Sequence, residues 1–174
     1  MSSKDRQPAD GLEVDSKLFR AACARFATGI TVVTTVDADG NPHGMTVNSF
    51  TSVSLNPPLV LVCVNLRNSI LGHFLTASAF GINILSADQE SVSRRFATSG
   101  TDRFQGMNWQ LGDALRVPLL QNVLATFECA VTHVLELGDH TVLVGEVKAA
   151  SAIEGDPLLY FDSRYQTLLS DNKR

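Results

Sequence analysis

The chain has 174 residues, 44% of them hydrophobic, which is enough for one domain with its own core. Its 14 lysines and arginines are outnumbered by 18 acidic residues and form no basic stripe among aromatic residues, so nucleic acid is not expected as a partner. No apolar run reaches the ~18 residues of a membrane span. The polar opening segment has no signal-peptide pattern, so neither a membrane partner nor export is expected. Cys23, Cys63 and Cys129 lie far apart, as is typical of reduced thiols in the cytoplasm.

The first half of the chain predicts one helix followed by strands. Asp15 is a suitable N-cap, and apolar residues recur at helical spacing behind it as far as Ala27. A β-branched run after Gly29 predicts a strand, and turn residues 37–40 separate it from the next one. The wholly apolar strand after Pro58 is expected to be buried on both faces. The predicted elements are a helix at 15–27 and strands at 30–36, 43–55 and 59–65.

The second half alternates short helices with strands and then gives two long strands. Ser86 and Gln89 have the spacing of a capping box, so a helix is expected to start there and to reach Phe96. The glycine-containing segment that follows it is expected to be a long surface loop with a functional role. The predicted elements are helices at 69–76 and 86–96, a loop at 97–113, and strands at 80–85, 125–137, 141–152 and 158–161.

These elements indicate the fold class. Residues 1–14 are expected to form a flexible arm and residues 15–170 a single domain. Most neighbouring strands are separated by turns too short for a parallel crossover, which indicates antiparallel pairing. We therefore expect a mainly β fold, a small closed barrel with peripheral helices. No Gly-x-Gly-x-x-Gly follows a strand, so a dinucleotide would not bind in a Rossmann crevice.

The most informative segment is the strand predicted at 43–55. With a period of two, one of its faces carries Thr46, Asn48, Phe50, Ser52 and Ser54. From the pattern alone, this face is the solvent side of a half-buried strand. However, exposed strand faces usually carry charged side chains, and no Lys, Arg, Asp or Glu occurs from His43 to Asn65. Short hydroxyl and amide groups also suit a pocket for a flat heterocycle.

Several motifs in one order resemble the short-chain flavin reductase family, and the likeness extends over about residues 18–168. They include Phe26-Ala27-Thr28-Gly29, His43-Gly44-Met45-Thr46-Val47-Asn48-Ser49-Phe50, Asn56-Pro57-Pro58-Leu59, Arg95-Phe96-Ala97, Gly138-Asp139-His140-Thr141 and Gly145-Glu146-Val147. The resemblance implies an FMN-binding split β-barrel, a Greek-key-like antiparallel barrel, that works as a homodimer. It also implies a flavin reductase, the component that supplies reduced flavin to a flavin-dependent monooxygenase. FMN or FAD would bind near the subunit boundary, and NADH or NADPH would donate the hydride.

The resemblance also implies roles for individual residues. The flavin would lie along Gly44, Met45, Thr46, Asn48 and Ser49, with the hydroxyl and amide groups as polar contacts. The opposite wall and the phosphate site would be formed by Cys63, Val64, Asn65, Ser69, Arg95 and Phe96, with Arg67 as an alternative phosphate ligand. His140 would orient the nicotinamide, and Tyr165 would help to close the pocket.

Alternatives remain open at this point. A flavin-binding carrier or sensor could use the same barrel without pyridine-nucleotide activity. An oxidase of the pyridoxamine-phosphate type also shares the barrel, but it would need a second basic pocket. The sequence does not choose between FMN and FAD. It does not choose between NADH and NADPH either, because Arg94, Arg95, Arg103 and Arg164 could each meet a 2′-phosphate.

Overall fold

The structure is a computed structural model and describes residues 13–100 and 102–168. The arm predicted at 1–14 lies outside the described residues apart from its last two, and so does the predicted end of the domain at 170. The helices are α1 (Ser16–Cys23), α2 (Leu71–Thr76) and α3 (Glu90–Ala97). The strands are β1 (Thr28–Gly29), β2 (Thr31–Val36), β3 (Pro42–Val47), β4 (Thr51–Leu55), β5 (Pro58–Asn65), β6 (Ala79–Ile84), β7 (Trp109–Leu111), β8 (Pro118–Leu120), β9 (Ala125–Leu137), β10 (His140–Ala152), β11 (Leu159–Phe161) and β12 (Arg164–Gln166).

Seven strands form one antiparallel sheet in the order β3-β2-β6-β9-β10-β5-β4. The sheet curls until its two ends approach each other. This is shown by Met45 of β3, which lies in one buried cluster with Val62 and Val64 of β5. Within the described strands, the edges β3 and β4 are not hydrogen-bonded to each other. The barrel is therefore split along one line, which we call the seam, and is not closed as the element pattern predicted.

The strand predicted at 43–55 is in fact two strands. Strand β3 ends at Val47, residues 48–50 cross the seam, and β4 begins at Thr51 on the opposite edge of the sheet. The prediction was wrong because alternation of polar and apolar residues does not reveal where a chain leaves one edge for another. The segment with the most informative sequence is thus the connection across the seam.

Burial of the strands also differs from the prediction. Strand β5 is buried on only one face, because Val60, Val62 and Val64 are enclosed whereas the residues between them are half-buried. Strands β2 and β6 are the ones enclosed on both faces. Val33 belongs to the cluster inside the barrel, and Val32 belongs to a second cluster on the outer side. That outer cluster includes Phe96 of α3, so β2 is covered by α3 and the loops around it.

Helix α1 starts close to the predicted position, and all of its residues are exposed in the described part of the chain. The Asp15 carboxylate accepts hydrogen bonds from the N–H groups of Lys17 and Leu18 at 2.8 and 3.0 Å, so Asp15 is the N-cap. The helix ends at Cys23, earlier than the predicted end, and no residue in it is buried. Leu18 and Phe19 are 64% and 61% exposed, which leaves an apolar face uncovered.

Three further features position the functional residues. The turn between β9 and β10 places His140 at the start of β10. Half of the predicted capping box is present before α3, since the Gln89 side chain accepts the Ser86 N–H at 3.0 Å, but the helix itself begins at Glu90. A separate three-stranded sheet, β1-β11-β12, carries Tyr165. Among the described helices, none is long and apolar enough to cross a bilayer.

Candidate functional site

A polar cavity of about 240 Å³ lies at the seam, where the end of β5 extends past the start of β4 and faces β3. We call it the seam cavity. Eight of the thirteen residues predicted from the sequence meet here, although they come from three strands and the crossing segment. The lining residues are Met45, Thr46, Val47, Asn48, Ser49, Cys63, Val64, Asn65, Asn68 and His140. The fold brings them together because β3 and β5 approach each other where the sheet is split.

Ser49 fastens the two walls of the seam cavity together. Its hydroxyl accepts the backbone N–H of Cys63 at 3.0 Å and donates to the carbonyl of Cys63 at 2.9 Å. The register of β4 against β5 pairs Thr51 with Leu61, so a longer β4 would place Ser49 opposite Cys63. The Ser49 hydroxyl thus replaces the backbone hydrogen bonds that a longer β4 would make to Cys63. It therefore positions the cavity wall, whether or not it also contacts a ligand. Burial raises the pKa of the Cys63 thiol, which keeps it neutral.

Thr46 connects the seam cavity to the C-terminal sheet. Its hydroxyl donates to the carbonyl of Ser93 on α3 at 2.6 Å, and the Ser93 hydroxyl lies 2.9 Å from the hydroxyl of Tyr165. Tyr165 itself lines a different cavity, where the guanidinium of Arg94 lies 4.8 Å from its ring centre. Tyr165 therefore reaches the seam cavity through Ser93 and Thr46 and does not line it.

His140 and Asn65 form one rim of the seam cavity, directly opposite each other in the pairing of β10 with β5. The Nδ1 atom of His140 lies 2.7 Å from Oδ1 of Asp139, and this hydrogen bond lowers the pKa of the Asp139 carboxyl. Because Nδ1 faces Asp139, Nε2 is the ring nitrogen left for a ligand. Asn48, on the crossing segment, is exposed, and no hydrogen bond within the described part of the chain engages its side chain.

Gly44 and Ser69 line a second cavity of about 420 Å³, which we call the Arg103 cavity. Arg103 is only 9% exposed, and its guanidinium donates to the carbonyls of Gly44 at 2.6 Å and Thr98 at 2.9 Å. Burial lowers the pKa of Arg103, and in the residues that the structure describes it forms no ion pair. Asp102 also lines the cavity, but its carboxylate accepts the N–H groups of Phe104 and Gln105 and forms no ion pair with Arg103. A buried cation that is not ion-paired favours an anion in the same cavity.

Arg95 and Phe96 line neither of these cavities. Arg95 donates to the carbonyls of Gln105 and Asp102 and lines a separate surface cavity. Phe96 is fully buried, and its ring packs against Phe104 with centroids 5.1 Å apart. Its Cε1 atom lies 2.8 Å from where a Cβ on Gly44 would be, so Phe96 supports the Gly44 strand and offers no ring surface to a ligand. Arg103 lies in the loop expected to have a functional role, but the sequence indicates it only as one of several possible contacts to a 2′-phosphate.

A curled antiparallel sheet with a polar cleft along its open seam defines a split β-barrel of the ligand-binding kind. The chain belongs to the flavin reductase like domain family, which matches residues 23–169. It is 45% identical over 146 residues to an FMN reductase (NADH) from Agrobacterium fabrum, covering 84% of this chain and 82% of the relative. The solved NADH:FAD oxidoreductase of Streptomyces globisporus, in complex with NAD and FAD fragments, matches with a TM-score of 0.85 and 36% identity, covering 94% of this chain and all of that one. These findings confirm the family resemblance and the mainly β, split-barrel fold class.

Some relatives are longer chains. A probable flavin reductase from Rhizobium meliloti is 45% identical over 78% of this chain, which spans 43% of that protein. The reductase component of a flavin-dependent trigonelline monooxygenase from Acinetobacter baylyi is 41% identical over 86% of this chain, which spans 48% of it. The family domain is thus combined with further sequence in these relatives.

Proposed function

We propose that this chain is an NAD(P)H:flavin oxidoreductase that reduces FMN or FAD at the seam cavity. The observation that carries the proposal is the convergence of Asn48, Asn65 and His140 on one polar cavity in a member of the flavin reductase like family. The residues present fit a flavin ring, because the carbonyl and imine acceptors and the N–H donor of the ring match amide, hydroxyl and backbone groups. Thr46 and Asn48 would be among the polar contacts to a bound ring.

The phosphate of the flavin belongs with Ser69 and Arg103. The Arg103 cavity holds a buried guanidinium and the Ser69 hydroxyl, and Gly44 joins it to the segment that lines the seam cavity. Both arginines donate to backbone carbonyls, but Arg95 is the weaker candidate because it lines a separate cavity that contains neither Ser69 nor Gly44. Arg103 therefore replaces Arg95 as the proposed phosphate ligand, while Ser69 keeps its predicted role.

The residues of this chain act by positioning. When both are bound, reduced nicotinamide would supply a hydride to the flavin. His140, held by Asp139, binds and orients the nicotinamide through Nε2. Ser49 and Thr46 fix the wall against which the rings are held, and the hydrogen bonds that fix them are all within the chain. Stacking the rings face to face requires orientation and exclusion of water, and no acid or nucleophile is needed.

A homodimer completes the site in this proposal. The seam cavity is smaller than the roughly 300–1,000 Å³ that ligand pockets occupy, so one chain provides only part of the enclosure. The end of the β9–β10 hairpin, next to His140, exposes Val134, Leu135 and Leu137, and elsewhere α1 exposes Leu18 and Phe19. Uncovered apolar groups of this size favour association. Light scattering behind a sizing column should give twice the chain mass, and a monomer at micromolar concentration would contradict the proposal.

The flavin produced would be passed to a flavin-dependent monooxygenase, by analogy with relatives that are named reductase components of such systems. A reducing compartment, the cytoplasm, fits the three free cysteines and the requirement for reduced pyridine nucleotide. The chemistry proposed at the seam cavity does not depend on the identity of the monooxygenase or on the compartment.

The test is a steady-state assay of NADH and NADPH oxidation with riboflavin, FMN and FAD. Replacing His140 with Ala should raise the KM for the nicotinamide more than the KM for flavin, whereas His133→Ala, an exposed histidine on β9, should change neither. An equal effect of H140A on both substrates would contradict the role of His140. Absence of any flavin-dependent oxidation would leave a carrier or sensor as the function.

The phosphate assignment has its own control in riboflavin, which lacks the phosphate. Arg103→Lys should raise the KM for FMN about tenfold relative to riboflavin, because a charge-assisted hydrogen bond contributes roughly 1.5–3 kcal/mol. Arg95→Lys should leave this ratio unchanged. A raised ratio in R95K with no change in R103K would instead assign the phosphate to Arg95.

A further inference from the structure

A second group of potential metal-ligating side chains lies at the end of the β2–β3 hairpin; one member, His43, also borders the Arg103 cavity, whereas the other two line neither proposed cavity. Asp37 follows β2, His43 lies on β3, and His73 lies on α2. One ligand atom from each of the three lies within 4.8 Å of the others, and all three side chains are half-buried. The chain has only 4 histidines, and two of them meet here beside a carboxylate.

The contacts within this group are specific. His43 Nε2 lies 2.9 Å from Asp37 Oδ2, and the rings of His43 and His73 stack with their centroids 3.6 Å apart and their planes 9° apart. Asp37 is held in place because its Oδ1 accepts the backbone N–H groups of Asp39 and Asn41 at 3.0 and 2.8 Å. A fixed carboxylate therefore faces two imidazoles drawn from different elements of the fold.

The donor set indicates the kind of ion. Two imidazoles and one carboxylate, with a water molecule as a fourth ligand, suit zinc and the neighbouring divalent transition metals, whereas magnesium and calcium prefer oxygen ligands. Because the planes of the stacked rings are nearly parallel, their nitrogen lone pairs lie in two parallel planes and cannot both point at one ion. One ring must therefore turn about its side-chain torsions to share an ion, and His73, on the short helix α2, is the ring that no hydrogen bond holds among the described residues.

We propose that Asp37, His43 and His73 bind one divalent transition-metal ion of the zinc type. The ion takes the place of the hydrogen bond between His43 and Asp37 and joins the β2–β3 hairpin to α2. Because the two carboxylate oxygens of Asp37 have different partners, Oδ2 is free to leave His43 for the ion while Oδ1 keeps the turn in shape. His43 borders the Arg103 cavity, but Asp37 and His73 line neither proposed cavity, so failure of metal binding would leave the proposed activity intact.

The experiment uses the full chain, freed of any histidine tag and treated with chelator, without flavin. Co²⁺ is added first, because the visible absorption of this ion reports the ligand number and geometry, and Zn²⁺ affinity is then measured by calorimetry. We expect one ion per chain, a Co²⁺ spectrum of low coordination number, and displacement of Co²⁺ by Zn²⁺. No binding, or a Co²⁺ spectrum of the hexaaquo ion, would overturn the proposal.

Variants identify the ligands. His73→Ala should weaken Zn²⁺ binding more than tenfold, since even outer groups around a metal site contribute about 10–100-fold. Asp37→Asn should weaken it as well, and a circular dichroism spectrum like that of the unaltered protein shows that each variant is folded. The matched control is His133→Ala, which removes an exposed histidine whose Nδ1 contacts only Thr132. Binding that survives H73A but is lost in H140A would assign the ion to the His140–Asp139 pair and refute the site.

Discussion

Replacing Ser49 with Ala tests the way in which the seam is held. The side chain of Ser49 makes two hydrogen bonds to the backbone of Cys63, at 3.0 and 2.9 Å. These bonds lie just before the first residue of β4 that pairs with β5, Thr51. The variant removes both bonds and leaves an N–H and a carbonyl of Cys63 without these partners. Alanine adds no volume, so the change removes hydrogen bonds without introducing a clash.

The magnitude follows from the number and the exposure of these bonds. Each intramolecular hydrogen bond contributes about 0.5–1.5 kcal/mol net, so two contribute about 1–3 kcal/mol. Cys63 is half-buried and borders an open cavity, where water can replace part of the loss, which reduces the expected cost to about 1–2 kcal/mol. With a urea dependence of roughly 2 kcal/mol per M, the unfolding midpoint should fall by about 0.5–1 M at a fixed protein concentration.

Urea unfolding followed by fluorescence measures the stability, and a flavin titration of the same variant measures the affinity. The matched control is Ser52→Ala, an exposed serine of β4, which should shift the midpoint by less than about 0.2 M. Flavin affinity should fall in S49A and not in S52A, because only Ser49 fixes the wall of the seam cavity. Equal urea midpoints for S49A and the unaltered protein would refute the inference that the Ser49 hydroxyl substitutes for backbone hydrogen bonds to Cys63.

Three further predictions concern packing and thiol chemistry. Gly145→Ala should destabilise the protein by about 1–3 kcal/mol in the same urea assay, because its Cβ would lie 2.6 Å from the ring of Phe80. Gly72→Ala, where a Cβ meets nothing within 4 Å, should stabilise α2 by up to about 1 kcal/mol, and a loss of stability there would contradict the described packing. Burial raises the pKa of Cys129 to about 12, so its thiolate is scarce below that pH, and peptide mapping after iodoacetamide at pH 8 should find Cys129 unmodified until the protein unfolds.

The sequence predicted the elements of this fold better than their connections. Strand β2 and the long strands β9 and β10 were predicted because β-branched and apolar runs bounded by turn residues are strong local signals. The break in the strand predicted at 43–55 was missed because residues 48–50 look like strand residues and differ only in the edge they lead to. The short strands β1, β7, β8 and β12 were also missed, β7 within the loop predicted at 97–113, since two or three residues carry too little pattern.

The candidate site shows the same division. Most of the predicted flavin contacts meet at the seam cavity, since they were taken from one continuous motif and from the strand opposite it. Arg95 and Phe96 lie elsewhere because adjacent helical residues point in different directions: one reaches surface carbonyls and the other enters the core. The importance of Arg103 depends on its burial beside Gly44, which is a tertiary property that no local pattern contains.

The ring packing around Arg103 has a practical consequence. Trp109, the one tryptophan of the chain, lies edge-on to Phe104 with ring centres 5.4 Å apart, and Phe104 follows Arg103 in the lining of its cavity. The emission of this indole therefore arises beside the proposed phosphate site. Its quenching offers an internal optical signal for the arrival of FMN, and the difference from riboflavin shows what the phosphate adds, without any attached dye.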